Sequence, residues 1–409
     1  MGLHIPPSLK HKKFFYLWLG QLISVTGTQM QLWALFWHVS RLDENPIALG
    51  GIGLARILPV IVFSLIGGAL ADSRDRRKVM FVTQSAAALL ALALGLLTQL
   101  GYVTIWYIYA ITALQAVAVA FDGPSRQALI PNLLPKKDLP NAFSMTFTSF
   151  QVGSVLGPAL SGFVIAWAGQ EAVYYFNAIS FVAVLFALFM IGDVPQSFSE
   201  KSAGISMESI REGIQFILSK PIILSTMLLD FVATFFASAN TLMPLIATNT
   251  LKVGVVEYGY LSAASAVGAV LVALVMSQVR VLRKQGPLFL GAVIVFGLAT
   301  VIFGVTQSFI VAWLAIATTG AADGVSTIIR NTIRQLQTPD HIRGRMTSVN
   351  QIFFQGGPQL GEMEAGSVAQ FFGAPFAVVS GGIGCILGTL LIANRQHIPD
   401  IKKFRSTAR

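Results

Sequence analysis

Residues 67–80 read "GGALADSRDRRKVM" and place six charges (Asp72, Arg74, Asp75, Arg76, Arg77 and Lys78) in seven positions between two long apolar stretches. Only 11% of the chain's 409 residues are charged and 54% are hydrophobic, with a mean hydropathy of +0.69. A water-soluble core needs far less apolar surface than this. Apolar runs of about 20 residues recur throughout, and each can cross a hydrocarbon layer of ~30 Å at ~1.5 Å per helical residue. Lipid offers no partner to a backbone N–H or C=O, so such runs must be helical. The chain therefore reads as an all-α integral membrane protein.

Apolar runs and their breakers give twelve spans near 14–39, 47–71, 79–100, 103–122, 141–168, 171–192, 221–249, 257–279, 287–307, 309–329, 346–372 and 374–394. The connections alternate in charge. Three Lys or Arg precede span 1, four lie between spans 2 and 3, and three to five sit in every later even-to-odd connection and in the tail. The odd-to-even connections hold Arg41 and Lys252 alone. That asymmetry is expected to put both termini in the cytoplasm and the spans in the cell (inner) membrane as a multi-pass protein. The basic start runs into span 1 without a small-residue cleavage site, so span 1 is read as retained. The net charge of +10 is spread over loops and forms no stripe of the kind that binds nucleic acid, and Cys385, the single cysteine, allows no internal disulfide.

"DGPSRQALIPNLLPKKDLPNAFSM" after span 4 has a counterpart in "DGVSTIIRNTIRQLQTPDHIRGRM" after span 10, with Asp122 and Asp323 separated by 201 residues. Pro158 of "GSVLGPALSG" and Pro358 of "QGGPQLGEMEAG" are 200 apart. Duplications of this kind build secondary transporters from two halves around a central path. The expected organisation is an N-terminal six-helix half (1–192), a cytoplasmic linker (193–220), a C-terminal six-helix half (221–394) and a basic cytoplasmic tail (395–409).

Gly68, Asp72, Arg76, Arg77 and Lys78 between spans 2 and 3 resemble the G-x-x-x-D-x-x-G-R-R/K signature of the major facilitator superfamily, with Asp75 where a glycine is usual. Gly153, Gly157, Pro158 and Gly162 resemble the antiporter motif of that superfamily, with Ser161 in place of one glycine; Gly357, Pro358 and Gly361 are their repeat equivalents in span 11. The overall pattern is most similar to the drug and siderophore efflux subfamily that includes macrolide and enterobactin exporters. The resemblance implies a twelve-helix major facilitator fold and a charged turn that latches neighbouring helix ends as a gate.

Four basic residues in a turn set orientation without any further role, but Asp72 at the end of a span opposes the helix dipole and needs a cationic or N-terminal partner. Small residues every fourth position let helices approach closely in lipid, and Pro158 and Pro358 bend them. Ionisable residues within spans are costly and mark function or a static ion pair. Asp230, Glu362, Glu364 and Arg56 are the candidates for proton coupling or substrate contact, since a carboxyl group taken out of water holds its proton more readily. Glu362 and Glu364 point about 200° apart, so at most one faces a central path. Asp122 and Asp323, each before a glycine, are expected to cap the next helix. Gln21, Thr28, Gln29, Gln31, Gln115 and Asn240, with Trp33, Phe36, Phe147, Phe235 and Phe354, are expected among cavity lining, packing and lipid-facing positions, and His38 as a lone interfacial histidine.

The chain lacks a G-x-x-x-x-G-K-[ST] loop, and its five histidines are scattered, which speaks against an ATP-driven pump, metal chemistry or any enzyme. The expected function is alternating-access transport of a small molecule across the bilayer, as a monomer, driven by a proton gradient with no cofactor or metal. Export rests on the span-5 motif by resemblance alone. Import or uniport of a small organic solute in the same superfamily is the alternative.

Overall fold

In the computed structural model, which describes residues 6–195, 207–237, 239–278, 285–339 and 343–394, the apolar runs are helices and no strand occurs among these residues. The helices are α1 (Lys12–Leu42), α2 (Pro46–Ser73), α3 (Arg76–Gln99), α4 (Ile105–Leu129), α5 (Leu139–Ile191), α6 (Met207–Ser219), α7 (Pro221–Phe236), α8 (Val255–Ser277), α9 (Gln285–Val305), α10 (Phe309–Gln337), α11 (Arg343–Phe372) and α12 (Ala374–Asn394). Short 3₁₀, α and π turns carry the α7 span on to Thr250. Among the described residues, 9 helical stretches are long and apolar enough to cross a membrane. One of them contains both arms of α5, and α1 and α11 are as long but more polar. These passages are consistent with the twelve read from the sequence. The 395–409 tail and most of the linker lie outside the described residues.

The chain forms two compact units, one of Met1–Leu42 with Ala55–Ile205, the other of Asp43–Leu54 with Ser206–Arg409. In the first unit α1 lies along both arms of α5. A Cβ on Gly153 would stand 2.7 Å from the Val25 side chain, and one on Gly157 3.0 Å from the Met30 amide, so α1 and the first arm run parallel. Gly20 faces Ala187 while Gly27 faces Ser180, so the second arm runs the other way. The reversal occurs at Gly169, whose φ of +82° lies where only glycine is unstrained.

Gly67 of α2 meets the Ala120 carbonyl of α4. Pro124 explains why that carbonyl is available: four residues on, it has no N–H to give back, and the freed oxygen turns to the glycine. In the second unit Gly268 of α8 meets the Ala317 carbonyl of α10, and Gly320 meets the Ser265 carbonyl. Gly67 and Gly268 are 201 residues apart, the spacing of Asp122 and Asp323. Gly357 and Gly361 of α11 face Thr234 and Phe235 of α7 as Gly153 and Gly157 face α1. The amphipathic α6 packs on α11, its Ile217 clustering with Ile223, Met227 and Met346.

Gly320→Leu is expected to cost about 1–3 kcal/mol by overpacking. Gly291→Leu, at a glycine with nothing within 4 Å, should stay near wild type; thermal unfolding in detergent compares the two.

Candidate functional site

Asp230 on α7 is 4% exposed and Arg330 on α10 is 2% exposed, and they form an ion pair. The second Arg330 nitrogen donates to Thr327 Oγ1 at 2.7 Å and lies 3.5 Å from Asp323 Oδ1, while Nη1 donates to Ser326 Oγ at 3.1 Å. A buried charge is tolerated in this way, through pairing and hydrogen bonds together. Arg334, also buried, donates to the Arg330 carbonyl and to Asn331 Oδ1. Residues 323, 326, 327, 330 and 334 recur at helical spacing and so share one face of α10. A small cavity beside the pair is lined by Thr234, Phe296, Asp323, Ser326 and Arg330.

Two of these residues correct the sequence reading, which ended span 10 at 329 and counted Arg330 and Arg334 as loop cations. No glycine or proline interrupts 325–338, so the helix runs on to Gln337, with Pro339 beyond it. The signal was present in Ile329 and Ile333, which are fully buried and alternate with the arginines at i, i+4 spacing.

The capping expectation for Asp122 and Asp323 is also overturned, since both lie inside helices. Asp122 pairs with Arg126 one turn on, and it accepts from Gln84 Nε2 at 2.8 Å and Thr83 Oγ1 at 3.3 Å, which ties α4 to α3. Pro124 is held within the helix rather than starting one.

Of the other intramembrane candidates, Glu362 is buried, Glu364 half-buried and Arg56 half-buried. Glu362 stands opposite Gly53, where a Cβ would come within 2.8 Å of its Oε2, so glycine at 53 makes room for the carboxylate. Of the aromatic lining candidates, Trp33 and Phe36 are buried, while Phe147 and Phe354 are largely exposed. His38 is not a lone interfacial residue: its Nδ1 lies 2.9 Å from the hydroxyl of Tyr174, and both side chains are buried.

The charged turn at 73–76 has a different logic. Asp75 is the N-cap of α3 and accepts from the Arg77 and Lys78 amides at 3.0 and 3.3 Å, which is a reason for an acid where the superfamily signature has glycine. Arg76 donates to the carbonyls of Ala71 and Ala128 and to Asn132 Oδ1, at 3.2, 3.1 and 2.9 Å. Arg77 donates to the Leu188 carbonyl at 2.8 Å and pairs with Asp193 at 2.9 Å. The carbonyl ends of α2, α4 and α5 are thus each covered by a cation, as orphan groups at the negative end of a helix require. These contacts all lie within the first unit. Lys78 is exposed, and the side chain of Asp72 lies outside the described residues.

A family model described as transmembrane secretion effector matches residues 5–409. The chain belongs to this family of the major facilitator superfamily. It is 24% identical over 398 residues to the enterobactin exporter EntS of Shigella boydii serotype 18 (strain CDC 3083-94 / BS512), covering 97% of this chain and 94% of that protein. It is 26% identical over 415 residues to the MFS-type transporter YfiS of Bacillus subtilis (strain 168), covering 97% and 96%. The fold matches a bacterial homolog of the human lysosomal transporter Spinster, in an inward-facing and occupied conformation, with a TM-score of 0.74 at 14% identity over 95% of this chain and 97% of that one. The nucleoside transporter NupG matches with a TM-score of 0.68 at 12% identity, over 93% and 98%. The protein is a multi-pass membrane transporter of small molecules.

For this transporter, Arg330→Ala is expected to lower stability by about 3–5 kcal/mol because Asp230 is left buried without its partner. Asp230→Asn combined with Arg330→Gln should recover a large part of the loss, as read by thermal unfolding in detergent.

Proposed function

We propose that the protein exports amphipathic small molecules (drugs, macrolides or siderophores) from the cytoplasm in exchange for protons, and that Asp230 carries the proton. The observation behind this reading is the buried Asp230–Arg330 pair, with Asp323 as a second acid in reach of the same guanidinium. With Asp230 ionised, Arg330 joins α7 to α10. When Asp230 takes a proton, Arg330 turns to Asp323 and its bonds lie within α10, so α7 is released. A local change of charge then biases a two-state element, which is what coupling requires.

Export is supported by the span-5 motif around Gly153, Gly157, Pro158 and Gly162 and by the exporter relatives. The basic connections favour cytoplasmic termini in the inner membrane. The proton gradient is the driving force, no cofactor takes part, and one chain suffices. Gly68, Asp72, Arg76, Arg77 and Lys78 serve as the gate, with Arg76 and Arg77 holding three helix ends in register. Glu362, Glu364 and Arg56 supply contacts along the path.

Cells lacking their main exporters and expressing this chain should accumulate less dye, macrolide or catechol siderophore, and an uncoupler should abolish the difference. Asp230→Asn is expected to remove transport driven by a pH gradient while leaving downhill exchange. Full gradient dependence in that variant would overturn the role given to Asp230, and accumulation unaffected by the uncoupler would overturn proton-driven export. For the gate, Asp72→Asn should change the cysteine-labelling pattern of the two ends of the path; an unchanged pattern counts against it.

A further inference from the structure

Building on the export reading, we propose that Thr112 and Gln115 of α4 form a hydrogen-bonding subsite for the carbonyl or hydroxyl oxygens of the cargo, held in place by a chain of amides that crosses the first unit. The chain starts on the second arm of α5, where Ser180 Oγ donates to Asn177 Oδ1 at 2.9 Å. Asn177 Nδ2 donates to Gln31 Oε1 of α1 at 2.7 Å, and Gln31 Nε2 donates to Gln115 Oε1 of α4 at 2.7 Å. Each amide accepts on its oxygen and gives its NH₂ to the next, so the polarity runs one way and the last group, Gln115 Nε2, is left as a donor.

That donor has no partner among the described residues. Neither has Thr112 Oγ1, although Thr112 is 5% exposed and a buried hydroxyl normally finds an acceptor. Three residues apart on one helix, the two groups share a face. Leaving a buried donor unmade is costly, and more so where the surroundings are apolar, so two such groups side by side mark a place prepared for something that supplies oxygen. Gln115 as a whole is only half-buried while its Nε2 and Thr112 Oγ1 are covered, which puts the two groups just inside the edge of the unit's core.

The rest of the chain is built to keep this end in position. A Cβ on Gly27 of α1 would stand 2.7 Å from Ser180 Cβ and 2.9 Å from Asn177 Oδ1, so glycine at 27 is what lets the second arm of α5 reach Gln31. Asn177 and Gln31 have their amides engaged with Ser180, with each other and with Gln115, so they position Gln115 and are not themselves offered to cargo. The subsite's chemistry is an oxygen acceptor for Gln115 with a hydroxyl or carbonyl oxygen against Thr112. A cation without oxygen offers no oxygen acceptor to the Gln115 donor.

The test uses the full chain purified in detergent, with erythromycin as an oxygen-rich probe and ethidium as a probe without oxygen, binding read by calorimetry. Thr112→Val removes an unpartnered hydroxyl at nearly constant volume and should hold or raise thermal stability; Gln115→Leu removes the amide. Each is expected to weaken erythromycin about three- to tenfold, the range of one lost hydrogen bond, with ethidium within about twofold of wild type. Erythromycin affinity unchanged in both variants, or an equal loss for both probes, overturns the subsite while the export reading stands. Wild-type protein that neither binds nor exports either probe overturns the export reading and the subsite with it.

Discussion

In lipid no hydrophobic force presses one helix against the next, so this structure depends on how closely backbones can approach. Glycines supply that approach at matching places in both units: Gly153 and Gly157 beneath α1, Gly357 and Gly361 beneath α7, Gly67 and Gly268 against carbonyls of α4 and α10. At Gly67 the device has two parts. Pro124 withdraws a hydrogen bond from Ala120, and the carbonyl so released is covered by a neighbour with no side chain to obstruct it. A loss within one helix thereby becomes a contact between two.

Close backbones leave little room for water, and the charged groups that remain inside are therefore few and multiply bonded. Arg330 touches two acids and two hydroxyls, and Asp122 an arginine, an amide and a hydroxyl. The cations of the charged turn solve a different problem, closing carbonyls at helix ends. Arginine suits both settings because its planar fork reaches several acceptors at once.

The fold class was legible because it follows from sums over many residues: apolar runs, their number, and the alternation of basic connections. The superfamily was legible from two short motifs. Individual partners were not. Arg330 at the edge of a span looks the same in sequence whether it reaches a loop or turns inward, and only the α7 residue beside it, one hundred positions earlier, decides. Asp75 was noticed as a departure from a family pattern, yet an acid just before Arg76, Arg77 and a helix is a capping signal that local reading could have used. Gln31 and Gln115 stood among positions left open between cavity lining, packing and lipid, and their bond to each other and the link through Asn177 bring together three helices that no spacing rule connects.

The reversal at Gly169 carries a mechanical consequence. The two arms of α5 are joined through a single non-helical residue, so the connection holds no slack: it offers a protease no extended segment, and it cannot lengthen to let the arms part. Both arms lie against α1, and the three passages are therefore expected to move together. In distance measurements by paired spin labels, those three would serve as a fixed frame within the first unit, against which the movement of any other helix can be read.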